Sequence, residues 1–410
     1  MERREFVSVL GGAAVVGPMS AWRGVRRDQP SIRPSGKSPQ QPLLGPEVFA
    51  RRLDRLRAEL ATRKLDLFVA APSTNFEYFT AYNPGRSERL ILLLVPTKGD
   101  PTIICPSFEV ERLRRHTAIA DLRGWEEQDD PWEPVKAVLR SAKPAHSAGR
   151  GCIEATLDYG SWLRLEDTGG GGWKWESGAP VTERLRIIKY PEEIALIRQA
   201  IDVTQASIAA TFAGLAPGVT EREVARKLSA EMESRGSSGD GLVQFGPSSA
   251  LPHGGPAGGQ LQKEMVVLID AGCRVGGYTS DITRTIWYGD APSDEFKKVF
   301  NLVHDAQTAA MQLGKPFAVR CQEMDRAARK VIADAGYGQY FTHRLGHGMG
   351  MDGHEPPYLV EGNDTPLETG MVFTIEPGIY QPDKFGVRIE DDNLVTDSGL
   401  EVLSQRPEKY

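Results

Sequence analysis

Residues 265–285 of the 410-residue chain read MVVLIDAGCRVGGYTSDITRT, a sequence typical of an antiparallel β-hairpin. The apolar run that ends at Asp270 predicts a buried strand, and the paired glycines at 276–277 favour a two-residue turn. With the turn at that position, Asp270 lies opposite Thr283, and Asp281 lies two residues along on the same face of the sheet. Two carboxylates should therefore converge on this hairpin.

A second hairpin is predicted near the C-terminus, where the segments TIEPG (374–378) and GVRIE (386–390) follow one another. Pairing of these segments would bring Glu376 close to Glu390 in the same way. Between the two hairpins, residues 342–350 read THRLGHGMG, a glycine-rich segment that contains histidine.

The four acids of these hairpins, buried together, need cations to offset several kcal/mol of desolvation and mutual repulsion. Two divalent ions would cancel the four negative charges. A donor set of carboxylates with one imidazole suits manganese, cobalt or iron, and zinc is also compatible, whereas a thiolate-type structural site is excluded. The four cysteines form no CxxC pair and are predicted to be buried free thiols.

The charge of the chain is unevenly distributed. Its 49 Lys and Arg residues against 55 Asp and Glu residues give a formal net charge of −6, which excludes a basic nucleic-acid-binding protein. Near the start, Arg3 and Arg4 precede a short, mildly apolar run that resembles a twin-arginine export signal. Residues 1–45 are therefore interpreted as signal and linker, which predicts a periplasmic protein; a fortuitous arginine pair would leave it in the cytoplasm. No apolar run reaches the ~20 residues needed to span a bilayer, so no membrane span is predicted.

The rest of the chain divides into two predicted domains, residues 46–180 and 181–410. The first alternates short apolar strands with amphipathic helices, the pattern of an α/β domain. Its predicted elements are a helix at 46–63, strands at Leu65–Ala71, Arg89–Pro96 and Thr102–Pro106, and helices near 108–116 and 131–142, followed by a loop or linker at Gly169–Gly172 and around Pro180. The second domain adds helices to the hairpins, which indicates an α+β domain. These helices are predicted at Glu192–Leu215, Thr220–Arg235, 293–313 and 321–335.

Together these segments resemble the pita-bread metallopeptidases, a family that includes prolidase, aminopeptidase P, methionine aminopeptidase and the metal-free creatinase. The motifs that carry the resemblance occur in the family's order: the segment of Asp270, DITRT (281–285), GHG (346–348), IEPG (375–378) and RIE (388–390). The resemblance covers nearly all of residues 46–404, because the first domain is similar to the creatinase-type N-terminal domain. Residues 177–198, with the segments RLRIIK and EEI, resemble the junction between the family's two domains.

The resemblance implies an α/β creatinase-like N-terminal domain followed by an α+β pita-bread catalytic domain. It implies a dinuclear metal site whose ligands are Asp270, Asp281, His347, Glu376 and Glu390. It also implies that three histidines surround the substrate, namely His253, His343 and His354. Glu376 is then placed to accept a proton from the attacking water, and Arg388 to pair with a ligand carboxylate. The implied activity is metal-dependent hydrolysis of the bond before proline in short peptides, by a homo-oligomer.

Several alternatives stay open at this point. The sequence alone does not separate an Xaa-Pro dipeptidase from an aminopeptidase P. Methionine aminopeptidase is disfavoured because it resembles the C-terminal domain alone, and creatinase because all five ligands are present. A catalytically silent pita-bread domain that binds peptides is an alternative of a different class. Loss of metal ligands would indicate such a domain, and here all five are present. A family hydrolase that acts on a non-prolyl amide is the remaining alternative.

Overall fold

In a computed structural model of the protein, the described residues are 44–255 and 259–410. The predicted leader, including Arg3 and Arg4, lies outside these residues. Within them, no helix is both long and apolar enough to cross a bilayer. All four cysteines are buried and free, as predicted.

The first part of the chain forms a six-stranded mixed sheet with the order β4-β3-β2-β1-β5-β6. Its strands are β1 (Leu67–Ala70), β2 (Leu92–Pro96), β3 (Thr102–Pro106), β4 (Asp121–Trp125), β5 (Gly149–Ile153) and β6 (Trp173–Ser177). Its helices are α1 (Pro46–Arg63), α2 (Thr74–Thr80), α3 (Ser107–Arg114), α4 (Trp132–Ala142), α5 (Tyr159–Gly169) and α6 (Ala179–Ile187). Alternate residues of β1 point to opposite faces: Phe68 packs in one core with Leu56 of α1, and Val69 packs in another with Leu139 of α4. Helices therefore cover both faces of the sheet.

Of the two segments predicted as loop or linker, residues 170–172 form a turn, whereas Pro180 lies in the first turn of α6. Between them lies the edge strand β6. Its residues alternate as Trp-Lys-Trp-Glu-Ser, and the two tryptophans lie opposite glycines of β5. A Cβ at Gly149 or Gly151 would approach the indole rings of Trp173 or Trp175 to within 3 Å. Gly149 and Gly151 thus leave space for the two tryptophans of β6. In the sequence, the run of glycines just before β6 is typical of a loop, so the strand was not predicted.

The second part is α+β, with two helix pairs packed on antiparallel sheets. Its helices are α7 (Pro191–Ala213), α8 (Glu221–Ser234), α9 (Asp294–Leu313) and α10 (Cys321–Asp334). One sheet contains β7 (Ser238–Phe245), β8 (Met265–Val275), β9 (Tyr278–Thr279) and β10 (Ile282–Tyr288). The other contains β11 (Gly346–Gly348), β12 (Glu355–Leu359), β13 (Val372–Ile375), β16 (Asp391–Thr396) and β17 (Gly399–Val402), beside the pair β14 (Gly378–Gln381) and β15 (Phe385–Arg388).

Each helix pair covers one sheet. Ile197 of α7 and Leu228 of α8 pack with Ile269 of β8, whereas Phe300 of α9 packs with Phe373 of β13. Strand β10 of the first sheet contacts β15 and β16, and the predicted hairpins meet there.

Candidate metal centre

The first hairpin has the predicted register. Asp270 pairs with Thr283 across β8 and β10, and the turn glycines have φ values of 55° and 89°. Positive φ at both central residues is what a tight two-residue hairpin turn requires, and glycine adopts it without steric cost. The backbone N–H of Asp281 donates to Oδ2 of Asp392 over 3.1 Å, which fixes the second acid of the hairpin.

The second hairpin places Glu376 opposite Glu390, also as predicted. Ile375 pairs with Asp391 and Gly378 pairs with Arg388, so the two glutamates face each other between these pairs. Thr283 ties the hairpins together, because its hydroxyl donates to Oε2 of Glu390 over 2.6 Å and its carbonyl accepts from the Glu390 N–H over 3.2 Å. The four predicted carboxylates are thus held by two hairpins that are bonded to each other.

His347 on β11 faces these carboxylates and is buried. Its Nε2 lies 3.4 Å from Oε1 of Glu376 and 3.7 Å from Oδ2 of Asp281. Its Nδ1 lies 3.1 Å from the carbonyl oxygen of Gly348. A carbonyl only accepts hydrogen bonds, so Nδ1 carries the proton in the neutral ring and Nε2 keeps a lone pair directed at the acids.

The donor atoms of these side chains lie close enough to share cations. Three groups of side chains each have donor atoms within 4.8 Å of one another: Asp270, Asp281 and Glu390; His347, Glu376 and Glu390; and Asp281, His347 and His354. Glu390 belongs to the first two groups, which therefore adjoin. Four carboxylate side chains and an imidazole are suitable ligands for divalent first-row metal ions.

The electrostatics of the cluster also fit bound cations. Burial, together with the charges of neighbouring acids, raises the pKa of Asp281 and of Glu390 well above the ordinary values. Burial and Asp270 raise the pKa of Glu376 to about 8. Burial lowers the pKa of His347 to about 3, so that its ring is neutral and able to coordinate. A cation among these groups would remove the repulsion that the protein otherwise bears.

Arg388 is buried beside the carboxylates. Its Nη2 donates to Oδ2 of Asp270 over 2.7 Å, and its Nε donates to the hydroxyl of Thr283 over 3.0 Å. The arginine therefore pairs with an acid of the cluster, as the sequence predicts. It also anchors the loop of His253, because its Nη1 donates to the carbonyl of Pro252 over 3.2 Å.

Tyr380 is a site residue that the sequence analysis missed. Its hydroxyl accepts from Nη1 of Arg388 over 2.8 Å and lies 2.8 Å from Nε2 of His343. Nδ1 of His343 lies 2.7 Å from the carbonyl of Arg344, so the ring is held at both nitrogens. Burial lowers the pKa of His343 to about 4, which keeps it neutral. In the sequence, Tyr380 is one more large residue on an apolar strand, and no local pattern distinguishes it.

The other two predicted histidines are exposed at the mouth of the site. The ring of His354 packs against that of His347, with 3.8 Å between centroids, and its Nδ1 lies 3.3 Å from Nη2 of Arg344. His253 follows Pro252, whose carbonyl accepts from Nη1 of Arg388, so its loop lies beside the cluster. The structure thus brings together every residue that the sequence assigned to the site.

Comparison with known proteins identifies the family. The model described as metallopeptidase family M24 matches residues 195–397, and the creatinase/prolidase N-terminal domain matches residues 52–188. The Xaa-Pro dipeptidase of Lactobacillus helveticus is 35% identical over 357 residues, which cover 86% of this chain and 96% of that protein. The chain belongs to metallopeptidase family M24. Both the family resemblance and the predicted fold class are therefore confirmed, and the protein is a metallopeptidase.

Solved structures of similar proteins share the fold of most of this chain. The dipeptidase PepE of Mycobacterium ulcerans superposes with a TM-score of 0.82 at 33% identity, over 90% of this chain and 98% of its own. The prolidase of Thermococcus sibiricus gives a TM-score of 0.80 at 33% identity, over 87% of this chain and 97% of its own.

Proposed function

We propose that this M24 protein is an Xaa-Pro dipeptidase that uses two divalent ions. The observation that carries the proposal is the adjoining pair of donor groups that share Glu390. The ions would be manganese, cobalt, iron or zinc, and they would be held by Asp270, Asp281, His347, Glu376 and Glu390. The names of similar proteins, an Xaa-Pro dipeptidase and a prolidase, support the substrate class.

Divalent ions bound to these ligands would activate water and polarise the scissile carbonyl. Among the protein's own groups, Glu376 is the carboxylate suited to move a proton from the attacking water to the leaving prolyl nitrogen. His354 and His253, exposed at the mouth, would donate hydrogen bonds to the substrate. His343 would be oriented by Tyr380, and Arg388 would hold Asp270 in its place.

Xaa-Pro dipeptides should be cleaved about 10- to 200-fold faster than the matching Xaa-Ala dipeptides, which is the range that small apolar contacts provide. A prolyl nitrogen has no hydrogen to donate, so selection depends on contact with the ring. Mass spectrometry of a panel of Xaa-Pro, Xaa-Ala and Xaa-Pro-Yaa peptides tests this.

Two results of that panel would favour a different activity. Equal rates on Xaa-Ala and Xaa-Pro would favour a hydrolase of non-prolyl amides. Faster cleavage of Xaa-Pro-Yaa than of Xaa-Pro would favour an aminopeptidase P.

The leader and the oligomeric state remain predictions. Replacing Arg3 and Arg4 by lysine should retain the protein in the cytoplasm, because twin-arginine export depends on the arginine pair. Fractionation of cells that express the parent and the double variant measures this, and equal periplasmic recovery would overturn the export proposal. Sedimentation of the purified protein tests whether it forms the expected homo-oligomer.

A further inference from the structure

We infer that Arg186 is a positioning residue. It holds the segment of His354 in place by joining the catalytic domain to the first sheet. The inference rests on the proposed role of His354 in the reaction. Arg186 lies on α6, in the segment RLRIIK that resembles a domain junction, and the proposed mechanism gives this segment no task.

The segment that carries His354 is held by the two acids on either side of it. Nη2 of Arg186 lies 2.6 Å from Oδ2 of Asp352 and also donates to Oε2 of Glu355. Nζ of Lys189 lies 2.9 Å from Oε1 of Glu355. Two acids and two bases therefore form a network without net charge, and His354 lies on the chain between the acids.

The network is shielded from water on its Glu355 side, whereas the side chain of Asp352 is 40% exposed. The exposed fractions of the side chains are 10% for Arg186, 6% for Glu355 and 1% for Lys189. Removal of Arg186 takes away the base that bonds Asp352 and leaves Glu355 with Lys189 alone, so the acids, Asp352 above all, should move towards solvent. His354 would move with them, since its own side chain is exposed and its nearest hydrogen-bond partner is Arg344 at 3.3 Å.

The other side of the network belongs to the first sheet and its helices. Nη1 of Arg186 donates to Oδ1 of Asn75 on α2 over 3.0 Å, and the hydroxyl of Thr74 donates to Oδ1 of Asp352 over 2.6 Å. Asn75 is fixed in turn by Oε1 of Glu154 at 2.9 Å. A cleft of about 250 Å³ runs between the two parts of the protein along these residues and includes His354. The first domain thereby supports one wall of the candidate site.

Replacement of Arg186 by methionine should lower kcat on an Xaa-Pro dipeptide by about 10- to 100-fold, the cost typical of losing a residue that orients a functional group. Metal content should stay at the parent level, because Arg186 contacts no proposed ligand. Arg186→Lys should recover part of the loss, since lysine keeps the charge but lacks the second, forked nitrogen that bonds Asn75 while Nη2 bonds the acids.

Arg184→Met is the matched control. Arg184 lies on the same helix and bonds Glu368 of the catalytic domain at 2.8 and 3.1 Å, but it is exposed and does not touch the His354 segment. Its loss should leave kcat unchanged. If Arg184→Met lowers kcat as much as Arg186→Met does, the effect is general weakening of the junction and the inference is wrong.

Two measurements separate positioning from stability. In the His354→Ala background, Arg186→Met should cause no further fall in kcat, because the two residues act through the same group; a full additional fall would overturn the inference. A crystal structure of Arg186→Met should show His354 displaced from its 3.8 Å packing on His347. A ring of His354 that has not moved would also overturn the inference. This structural test does not depend on which peptide the enzyme cleaves, so it can be distinguished from failure of the proposed substrate class. Asp352→Asn provides the same structural test if Arg186→Met does not fold.

Discussion

We expect Asp281→Asn and Glu390→Gln each to lose bound metal and turnover together, with turnover falling by at least about 10²-fold. This exceeds the 10- to 100-fold loss typical of residues that only support a ligand. Each of these acids belongs to two of the three donor groups, so one substitution weakens both proposed ion positions. Elemental analysis of the parent should find close to two divalent ions per chain.

Glu401→Gln is a matched acid-to-amide control. Glu401 is about half exposed and pairs with Arg198 at 2.8 Å, away from the cluster. It should keep both metal and turnover. Full activity of the parent after thorough chelation would show that the cluster is not a metal centre.

The stability of the metal-free protein should fall as pH rises, which is the opposite of proteins whose ion-paired carboxylates are protonated in acid. Burial and neighbouring acids raise the pKa values of Asp281, Glu376 and Glu390 in the folded state. The folded chain therefore holds protons that the unfolded chain releases, and the free energy of unfolding falls as pH rises from about 4.5 towards the Glu376 pKa of about 8. Melting temperatures of chelated protein at pH 5.5 and 8, with and without added manganese, measure the effect, which bound metal should suppress.

Both hairpins could be predicted from the sequence because their information is local. A glycine pair fixes the turn, and a period of two then determines which residues share a face, so Asp270 and Asp281 follow from the turn alone. The bond between Thr283 and Glu390 joins strands that are more than 100 residues apart, and no local pattern encodes it. Recognition of the family, rather than periodicity, associated the two hairpins.

Tyr380 and Arg186 show why the remainder could not be predicted. A tyrosine on a buried strand has the same pattern as a core residue, and its hydroxyl acquires a role only where Arg388 and His343 meet it. Arg186 is one of several arginines on an amphipathic helix. Arg186 is buried against Glu355 and Asp352, whereas Arg184 is half exposed beside Glu368, and this difference depends on how the two parts of the protein pack.

Substitution of His354 by alanine should lower turnover on an Xaa-Pro substrate by about 10²- to 10³-fold, the loss expected for one hydrogen bond made in the transition state. Its ring lies exposed against His347 at the mouth of the cluster, where a substrate carbonyl would enter. Because a prolyl nitrogen has no hydrogen to donate, a donor such as His354 would act on the carbonyl, while contact with the ring provides the preference for proline. Metal content should remain near two ions, because five other side chains supply the proposed ligands.

Three measurements on one preparation distinguish the possible roles of His354. Loss of metal with loss of turnover would make it a ligand, which its donor group with Asp281 and His347 permits sterically. A lower melting temperature with normal turnover per folded molecule would make it a packing residue, because the ring covers His347. Lower turnover with full metal content and an unchanged melting temperature is the result we expect, since an exposed ring contributes little to stability while its N–H group can reach the substrate.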